Sequence, residues 1–154
     1  MINVLFVCHG NICRSPMAEF LFKDYVNKMG KGHLFNIESC ATSREEIGNP
    51  VHRGTRKILD KYNIDYSSKR ARQMTRDDYN KFDYIIYMDS YNLYNMERFI
   101  GNDLDNKCHL FLEYANLNRD ISDPWYTGNF SETERDIKLG IEGFYSHLIK
   151  NKLC

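Results

Sequence analysis

Apolar residues occur along the chain in two alternating patterns. Four short runs, residues 4–7, 35–40, 84–88 and 109–112, are rich in apolar residues, which favours strands of a buried sheet. Longer segments with helical spacing lie between and after these runs. The sequence therefore predicts strands that alternate with helices.

The helical segments are recognised by apolar residues that recur on one face. Four sets have this spacing: Met17, Leu21, Tyr25 and Met29; Ile58, Leu59 and Tyr62, in a helix from about residue 51; Leu93, Met96 and Ile100; and Ile137, Ile141, Phe144 and Leu148. Ser15 followed by Pro16 predicts the start of the first helix, with serine as the N-cap. Ser131 and Glu134 have the spacing of a capping box and predict the start of the last helix.

Strands that alternate with helices of this length form right-handed βαβ units. We therefore predict an α/β protein of three layers, with a central four-stranded parallel sheet flanked by helices on both faces. A chain of 154 residues and 18.3 kDa fits one domain over residues 1–154. Ligands bind beyond the carboxyl ends of the strands in such sheets. We therefore expect ligand-binding and catalytic residues in the segments that follow the four runs.

Composition and charge exclude several classes of protein. Hydrophobic residues make up 42% and charged residues 27% of the chain, which excludes a disordered or collagen-like protein. Lys+Arg and Asp+Glu both number 21, so the chain lacks the positive field of many nucleic-acid-binding proteins. No apolar run approaches the ~20 residues of a transmembrane helix, and the N-terminus has the pattern of a strand. We expect neither nucleic acid nor membrane as a partner.

The cysteines and histidines bear on location and cofactors. The chain has 5 cysteines without a C-x-x-C pair, and an odd number does not favour a disulfide framework. Its 5 histidines lack the spacing of zinc ligands. We expect a cytoplasmic protein without a metal or other cofactor.

The segment after the first predicted strand has the strongest chemical signal. It reads Cys8-His9-Gly10-Asn11-Ile12-Cys13-Arg14-Ser15-Pro16 and leads into the first predicted helix. Amide N–H groups and the helix dipole favour an anion at such a place, and Gly10 and Asn11 tolerate the left-handed backbone that turns N–H groups to one point. A cysteine here is expected to be a thiolate, and Arg14 to bind two phosphate oxygens. The segment predicts a phosphate cradle with a nucleophile at its base.

This loop resembles the active-site loop of the low-molecular-weight protein tyrosine phosphatases, V-C-x-G-N-x-C-R-S-P. Further similar stretches follow in the same order along nearly the whole chain: Ala41-Thr42-Ser43, Gly48-Asn49-Pro50, Ala71-Arg72-Gln73, Phe82-Asp83-Tyr84-Ile85, Met88-Asp89 and Asp123-Pro124-Trp125-Tyr126. The resemblance implies hydrolysis of tyrosine-phosphorylated proteins or peptides, with inorganic phosphate as a product. We expect the enzyme to be a monomer.

The resemblance also implies roles for single residues. Cys8 is expected to attack phosphorus and form a phosphocysteine, and Ser15 to donate a hydrogen bond to its sulfur. The oxygens of the phosphoryl group are expected to bind Arg14 and the backbone amides of His9, Gly10, Asn11, Ile12, Cys13 and Ser15. Asp123 is the expected general acid, because a phenolate leaving group needs a proton. Taken alone, Asp123-Pro124 is also typical of a simple turn.

Four residues are expected to form the substrate pocket. Trp125 and Tyr126 would be walls of a pocket too deep for phosphoserine. Ile12 favours an aromatic ring, whereas similar arginine phosphatases have threonine at this place. Glu45 stands where the family usually has tyrosine or tryptophan, and its charge is expected to weaken the binding of acidic phosphopeptides.

Other positions depart from the family or allow two interpretations. Lys69 takes the place of a histidine that braces the loop in many relatives, and His9 the place of a leucine. The family suggests a redox role for Cys13, as a disulfide partner of Cys8, although a small buried thiol is an equally good interpretation. Eight basic residues between positions 53 and 76 are interpreted as a solvated face.

Three other functions are compatible with such a loop. A protein-arginine phosphatase shares it. A thioredoxin-coupled arsenate reductase needs a further pair of cysteines, which the chain lacks between Cys40 and Cys108. A phosphocarrier that does not hydrolyse its phosphocysteine would not need Arg14 and Asp123 together.

Overall fold

A four-stranded parallel sheet lies at the centre of the fold, which confirms the predicted fold class. The computed structural model describes residues 1–154, with strands β1 (Ile2–Cys8), β2 (Phe35–Ala41), β3 (Tyr84–Tyr87) and β4 (Cys108–Leu110). The strands lie in the order β2-β1-β3-β4 and all pairs are parallel. Because the chain leaves β1 toward β2 on one side and returns to β3 on the other, a crevice is expected at the carboxyl end of β1.

Helices cover both faces of the sheet. They are α1 (Arg14–Lys28), α2 (Arg53–Lys61), α3 (Asp77–Lys81), α4 (Ser90–Ile100), α5 (Pro124–Thr127) and α6 (Phe130–Lys150), with short 3-10 helices at Gly32–Leu34 and Phe111–Ala115. Successive residues of β1 point to opposite faces: Val4 and Phe6 pack with residues of α1, α2 and α6, whereas Leu5 and Val7 pack with Met96 of α4. None of the helices combines the length and apolar composition needed to cross a membrane.

The predicted starts of the first and last helices were wrong. Helix α1 begins at Arg14 with Cys13 as its N-cap residue, because the loop after β1 turns directly into the helix and leaves Ser15 inside its first turn. Helix α6 is capped by Asn129, whose side chain accepts a hydrogen bond from the Glu132 N–H. Glu134 makes no capping box because it binds Lys61 and Tyr62 instead.

Two further differences concern short elements. The fourth strand ends at Leu110, and the apolar residues that follow it begin a 3-10 helix at Phe111. Phe111 and Leu112 are buried in the core, so their apolar character reflects burial of this 3-10 helix and does not indicate a longer strand. Helices α3 and α5 have 5 and 4 residues, which is too short for a repeating apolar face.

Candidate active site

The loop from Cys8 to Ser15, here called the Cys8 loop, lies at the carboxyl edge of the sheet. Cys8 is the last residue of β1, and Arg14 is the first residue of α1. Three of its carbonyl groups accept hydrogen bonds from backbone N–H groups of distant segments: Cys8 O from Thr42, His9 O from Ser43 and Ile12 O from His52. These contacts tie the loop to the segments after β2 and before α2.

Several amide N–H groups of the Cys8 loop have no hydrogen-bond partner in the protein. The N–H groups of Gly10, Ile12 and Cys13 donate to no acceptor of the protein, and those of Arg14 and Ser15 belong to the first turn of α1, where intrahelical partners are missing. Free N–H groups that surround one point form a site for an anion.

Asn11 holds the turn in this shape. Its backbone is left-handed, with φ 59°, while Gly10 does not share this conformation, so only one of the two residues proposed for it adopts it. The Asn11 amide donates to Ser15 Oγ at 2.8 Å and to Ser39 Oγ at 2.9 Å, and its Oδ1 accepts from the Arg72 N–H at 3.1 Å. A buried side chain thus fixes a conformation that most residues avoid.

A buried chain of hydrogen bonds continues from Asn11 to a charged pair. Ser39 Oγ donates to Glu19 Oε1 at 2.5 Å. Lys69 Nζ lies 3.1 Å from the same oxygen and donates to the Ser39 carbonyl at 2.9 Å. Lys69 therefore braces the loop through Ser39, from the position at which the family resemblance led us to expect histidine.

Cys8 is distinguished from Cys13 by its polar contacts. Its sulfur accepts a hydrogen bond from the Asn11 N–H at 3.3 Å and lies 3.0 Å from Ser15 Oγ. Burial and the neighbouring Cys8 raise the pKa of the Cys13 thiol far above its usual range, so Cys13 stays protonated at neutral pH. Both cysteines are free thiols, and a reversible disulfide between them stays a prediction.

Arg14 is buried at the base of the site among acidic groups. Its Nη1 donates to Asp89 Oδ2 at 2.6 Å and to the Ile121 carbonyl at 2.8 Å, and its Nη2 lies 3.4 Å from Asp123 Oδ2. Burial alone would lower the pKa of Arg14, but Cys8, Asp89 and Asp123 together raise it. The guanidinium is therefore a fixed positive charge.

Asp89, Ser39 and Glu19 were not predicted as residues of this site. Asp89 lies two residues after the end of β3, at the sheet edge where ligands are expected, and this position was the one available signal. Its Oδ1 caps α4 while its Oδ2 holds Arg14. Ser39 and Glu19 gave no signal, because their contact with the loop depends on the pairing of β2 with β1.

Asp123 stands above Arg14 as the N-cap of α5. Its Oδ1 accepts from the Trp125 N–H at 3.0 Å, which leaves Oδ2 facing the site, and its side chain is 22% exposed. Asp123 therefore begins a turn, as its Asp-Pro sequence predicts, and its side chain also lines the pocket over the Cys8 loop. Trp125 and Tyr126 follow, with exposures of 57% and 81%.

The pocket over the Cys8 loop brings together all the predicted site residues except Asn11 and Ser15, which are buried and do not line it. Cys8, His9, Gly10, Ile12, Cys13, Arg14, Glu45, Glu46, Asp123, Trp125 and Tyr126 line it. At its mouth, His9 Nε2 lies 3.1 Å from Glu45 Oε2, so two of the three residues that we expect to depart from the family pattern contact each other. No group of three or more His, Cys, Asp or Glu side chains is arranged to hold a metal ion.

Comparison with known proteins identifies the family. The family model for low molecular weight phosphotyrosine protein phosphatase matches residues 3–153. The chain belongs to this family. The Bacillus subtilis low molecular weight protein-tyrosine-phosphatase YfkJ is 41% identical over 99% of both chains, and its crystal structure superposes with a TM-score of 0.94.

Two other members of the low molecular weight phosphatase family are similar over almost their whole length. The low molecular weight phosphotyrosine protein phosphatase of Schizosaccharomyces pombe is 42% identical over 97% of this chain and 96% of its own. The crystal structure of a low molecular weight protein tyrosine phosphatase from Streptococcus pyogenes is 45% identical, with a TM-score of 0.85 over 96% of this chain and 93% of its own.

Proposed function

We propose that this member of the phosphatase family hydrolyses phosphotyrosine in proteins and peptides, with Cys8 as nucleophile, Arg14 as the phosphate-binding cation and Asp123 as general acid and base. The observation that supports this most directly is the shared lining of one pocket by Cys8, by Arg14 and by Gly10, Ile12 and Cys13, whose N–H groups have no acceptor in the protein. A phosphoryl group bound there would have its phosphorus over the sulfur and its oxygens among hydrogen-bond donors.

In the first step, the Cys8 thiolate attacks phosphorus and an S–P bond forms as the bond from phosphorus to the tyrosyl oxygen breaks. Asp123, entering protonated, gives its proton to that oxygen, so that tyrosine leaves as a neutral phenol. Arg14 and the loop amides stabilise the charge on the three other oxygens. Asp89 keeps the Arg14 guanidinium in the orientation that this requires.

In the second step, water attacks the phosphocysteine and the S–P bond breaks. Asp123, now ionised, removes a proton from that water, and the electron pair of the broken bond returns to sulfur. Ser15 Oγ, 3.0 Å from that sulfur, stabilises the departing thiolate by donating a hydrogen bond. Inorganic phosphate leaves and the enzyme is restored.

The pocket walls support phosphotyrosine as the substrate. Ile12 and Trp125 offer apolar surface to an aromatic ring above the loop, and the short side chain of phosphoserine would not bring its phosphorus to the sulfur. One copy of the chain forms a complete pocket, and we propose that the enzyme acts as a monomer. Because the nucleophile and four further cysteines are free thiols, we place the enzyme in a reducing compartment such as the cytoplasm.

Initial rates with phosphotyrosine, phosphoserine and phosphoarginine peptides of one sequence test the proposal, with Cys8→Ser as the blank. We expect turnover of the phosphotyrosine peptide alone. Faster release of phosphate from phosphoarginine would assign the enzyme to arginine phosphatases. Labelling of Cys8 by one equivalent of phosphate without turnover would assign it to phosphocarriers.

Substitution of Glu45 tests whether its charge limits the binding of acidic substrates. Because Glu45 is 70% exposed at the pocket mouth and touches no reacting group, Glu45→Gln should lower the KM of acidic phosphopeptides about two- to fivefold and leave kcat unchanged. Glu45→Trp should lower KM further through contact with the peptide. The same KM values for acidic and neutral peptides in all three proteins would contradict the role of this charge.

Substitution of Lys69 tests the brace under the Cys8 loop. Lys69→Met leaves the Ser39 carbonyl without its donor and removes one partner of buried Glu19, so the free energy of unfolding should fall by about 1–3 kcal/mol. Because the loop loses its support, kcat should fall about tenfold. Urea unfolding and initial rates measure the two effects.

Lys23→Met is the matched control for Lys69→Met. Lys23 binds the same carboxylate at 2.6 Å but is 40% exposed and does not contact Ser39. It should therefore change kcat little, whereas Lys69→His should restore part of the lost rate. Equal kcat in Lys69→Met and wild type would show that the loop holds its shape without Lys69.

A further inference from the structure

We propose that a basic groove beside the catalytic pocket binds a second anionic group of the same substrate, a carboxylate or phosphate a few residues from the phosphotyrosine. The inference rests on the proposed function and specifies which phosphotyrosine substrates the enzyme prefers. The groove, here called the Arg53 groove, is lined by His52, Arg53, Lys57, Trp125, Asn129 and Phe130, with other residues of α2 and the segment after α5. Its volume of about 630 Å³ is within the range of ligand-binding clefts.

The walls of the Arg53 groove are held by aromatic contacts. The His52 ring stacks on Phe130, with 5.2 Å between centroids, and meets Trp125 edge-on at 5.6 Å. Phe130 packs so closely on Gly54 that a Cβ at this position would collide with its ring. The groove is therefore shaped by packed side chains.

Trp125 connects the groove to the catalytic pocket. It lines both cavities, so a peptide whose phosphotyrosine occupies the pocket can pass over Trp125 into the groove. Each residue of an extended chain spans about 3.3–3.6 Å, so an anionic side chain a few positions from the phosphotyrosine can reach Arg53 and Lys57.

The groove has positive charge that no carboxylate of the protein neutralises. Among the eight basic residues between positions 53 and 76, Lys61, Lys69 and Arg72 form ion pairs with carboxylates, and Arg70 donates to backbone carbonyls. Arg53 and Lys57 are exposed and form no ion pair, and no Asp or Glu lines the groove. Arg56 and Arg76 are also exposed and form no ion pair, but neither lines the groove. Arg53 and Lys57 are therefore the two unpaired basic residues of this stretch that face a cavity next to the catalytic pocket.

Another side of the catalytic pocket carries negative charge. Glu45 and Glu46 line the catalytic pocket and are absent from the Arg53 groove. An acidic residue of the substrate is therefore attracted at one side of the phosphotyrosine and repelled at another. This arrangement favours one direction of the bound peptide.

Peptides of one neutral sequence test the proposal, with a single Glu, Lys or phosphoserine placed at each position around the phosphotyrosine in turn. In the wild type, Glu at one side should raise kcat/KM about threefold and phosphoserine about tenfold, through KM. Arg53→Ser combined with Lys57→Ser should abolish this preference. If only phosphoserine raises kcat/KM, the groove binds a phosphate group. If Glu and phosphoserine both raise it, the groove binds carboxylate as well as phosphate.

Arg56→Ser is the matched control, because Arg56 is an exposed basic residue of the same helix that does not line the groove. A positional preference that is absent, or lost equally in Arg56→Ser, would overturn the proposal. Free phosphotyrosine, which is too small to reach the groove, should be hydrolysed equally by wild type and variants. If none of them hydrolyses it, the proposed function fails, whereas equal hydrolysis without a positional preference rejects the groove alone.

Discussion

Cys8→Ser is expected to abolish turnover of phosphotyrosine. The serine hydroxyl would occupy the place of the sulfur, beside the Asn11 N–H and Ser15 Oγ, but an alcohol does not ionise near neutral pH and no phosphoenzyme would form. The loss should be at least about 10⁴-fold. Initial rates at high enzyme concentration measure it, and mass spectrometry should detect phosphocysteine only in wild type.

The same variant should still bind phosphate. Its loop amides and Arg14 are unchanged, so inorganic phosphate should raise its thermal unfolding temperature as it does for wild type. Cys154→Ser, at the other end of the chain, is the control for a cysteine-to-serine change away from the site and should keep wild-type rates. Residual turnover by Cys8→Ser within about tenfold of wild type would exclude Cys8 as the nucleophile.

The parts of the site that are local in sequence could be predicted, and those that depend on strand pairing could not. Cys8, Asn11 and Arg14 lie within seven consecutive residues between a strand and a helix, so their geometry follows from the strand end and the helix start. Ser39 reaches Asn11 only because β2 pairs with β1 so that Ser39 lies opposite Phe6. A single sequence contains no record of that register.

The predictions of where the first and last helices begin were wrong for a related reason. Serine before proline and the Ser131–Glu134 spacing both fit a cap locally, yet each residue has another partner in the fold. Ser15 binds Cys8 and Asn11, and Glu134 binds Lys61 and Tyr62 across to α2. Tertiary contacts therefore outweighed the local preference, in one case to form the site and in the other to join two helices.

Asp123→Asn is expected to lower kcat for phosphotyrosine by about 10²–10⁴-fold. Asparagine keeps an oxygen for the Trp125 N–H, so the cap of α5 should survive, but it has no proton to give to the tyrosyl oxygen. Asp120→Asn is the control, since Asp120 is an exposed carboxylate of the same segment that binds the Ser90 N–H. It should leave kcat near the wild-type value.

The leaving group separates a lost proton donor from a distorted loop. Because tyrosine has a pKa near 10, its oxygen needs protonation as it leaves, whereas an aryl phosphate with a much more acidic phenol does not. The rate deficit of Asp123→Asn should therefore shrink steadily as the phenol becomes more acidic, while a distorted Cys8 loop would slow all substrates alike. Equal rates for Asp123→Asn and wild type on phosphotyrosine would remove Asp123 from the mechanism and leave its carboxylate as a helix cap beside Arg14.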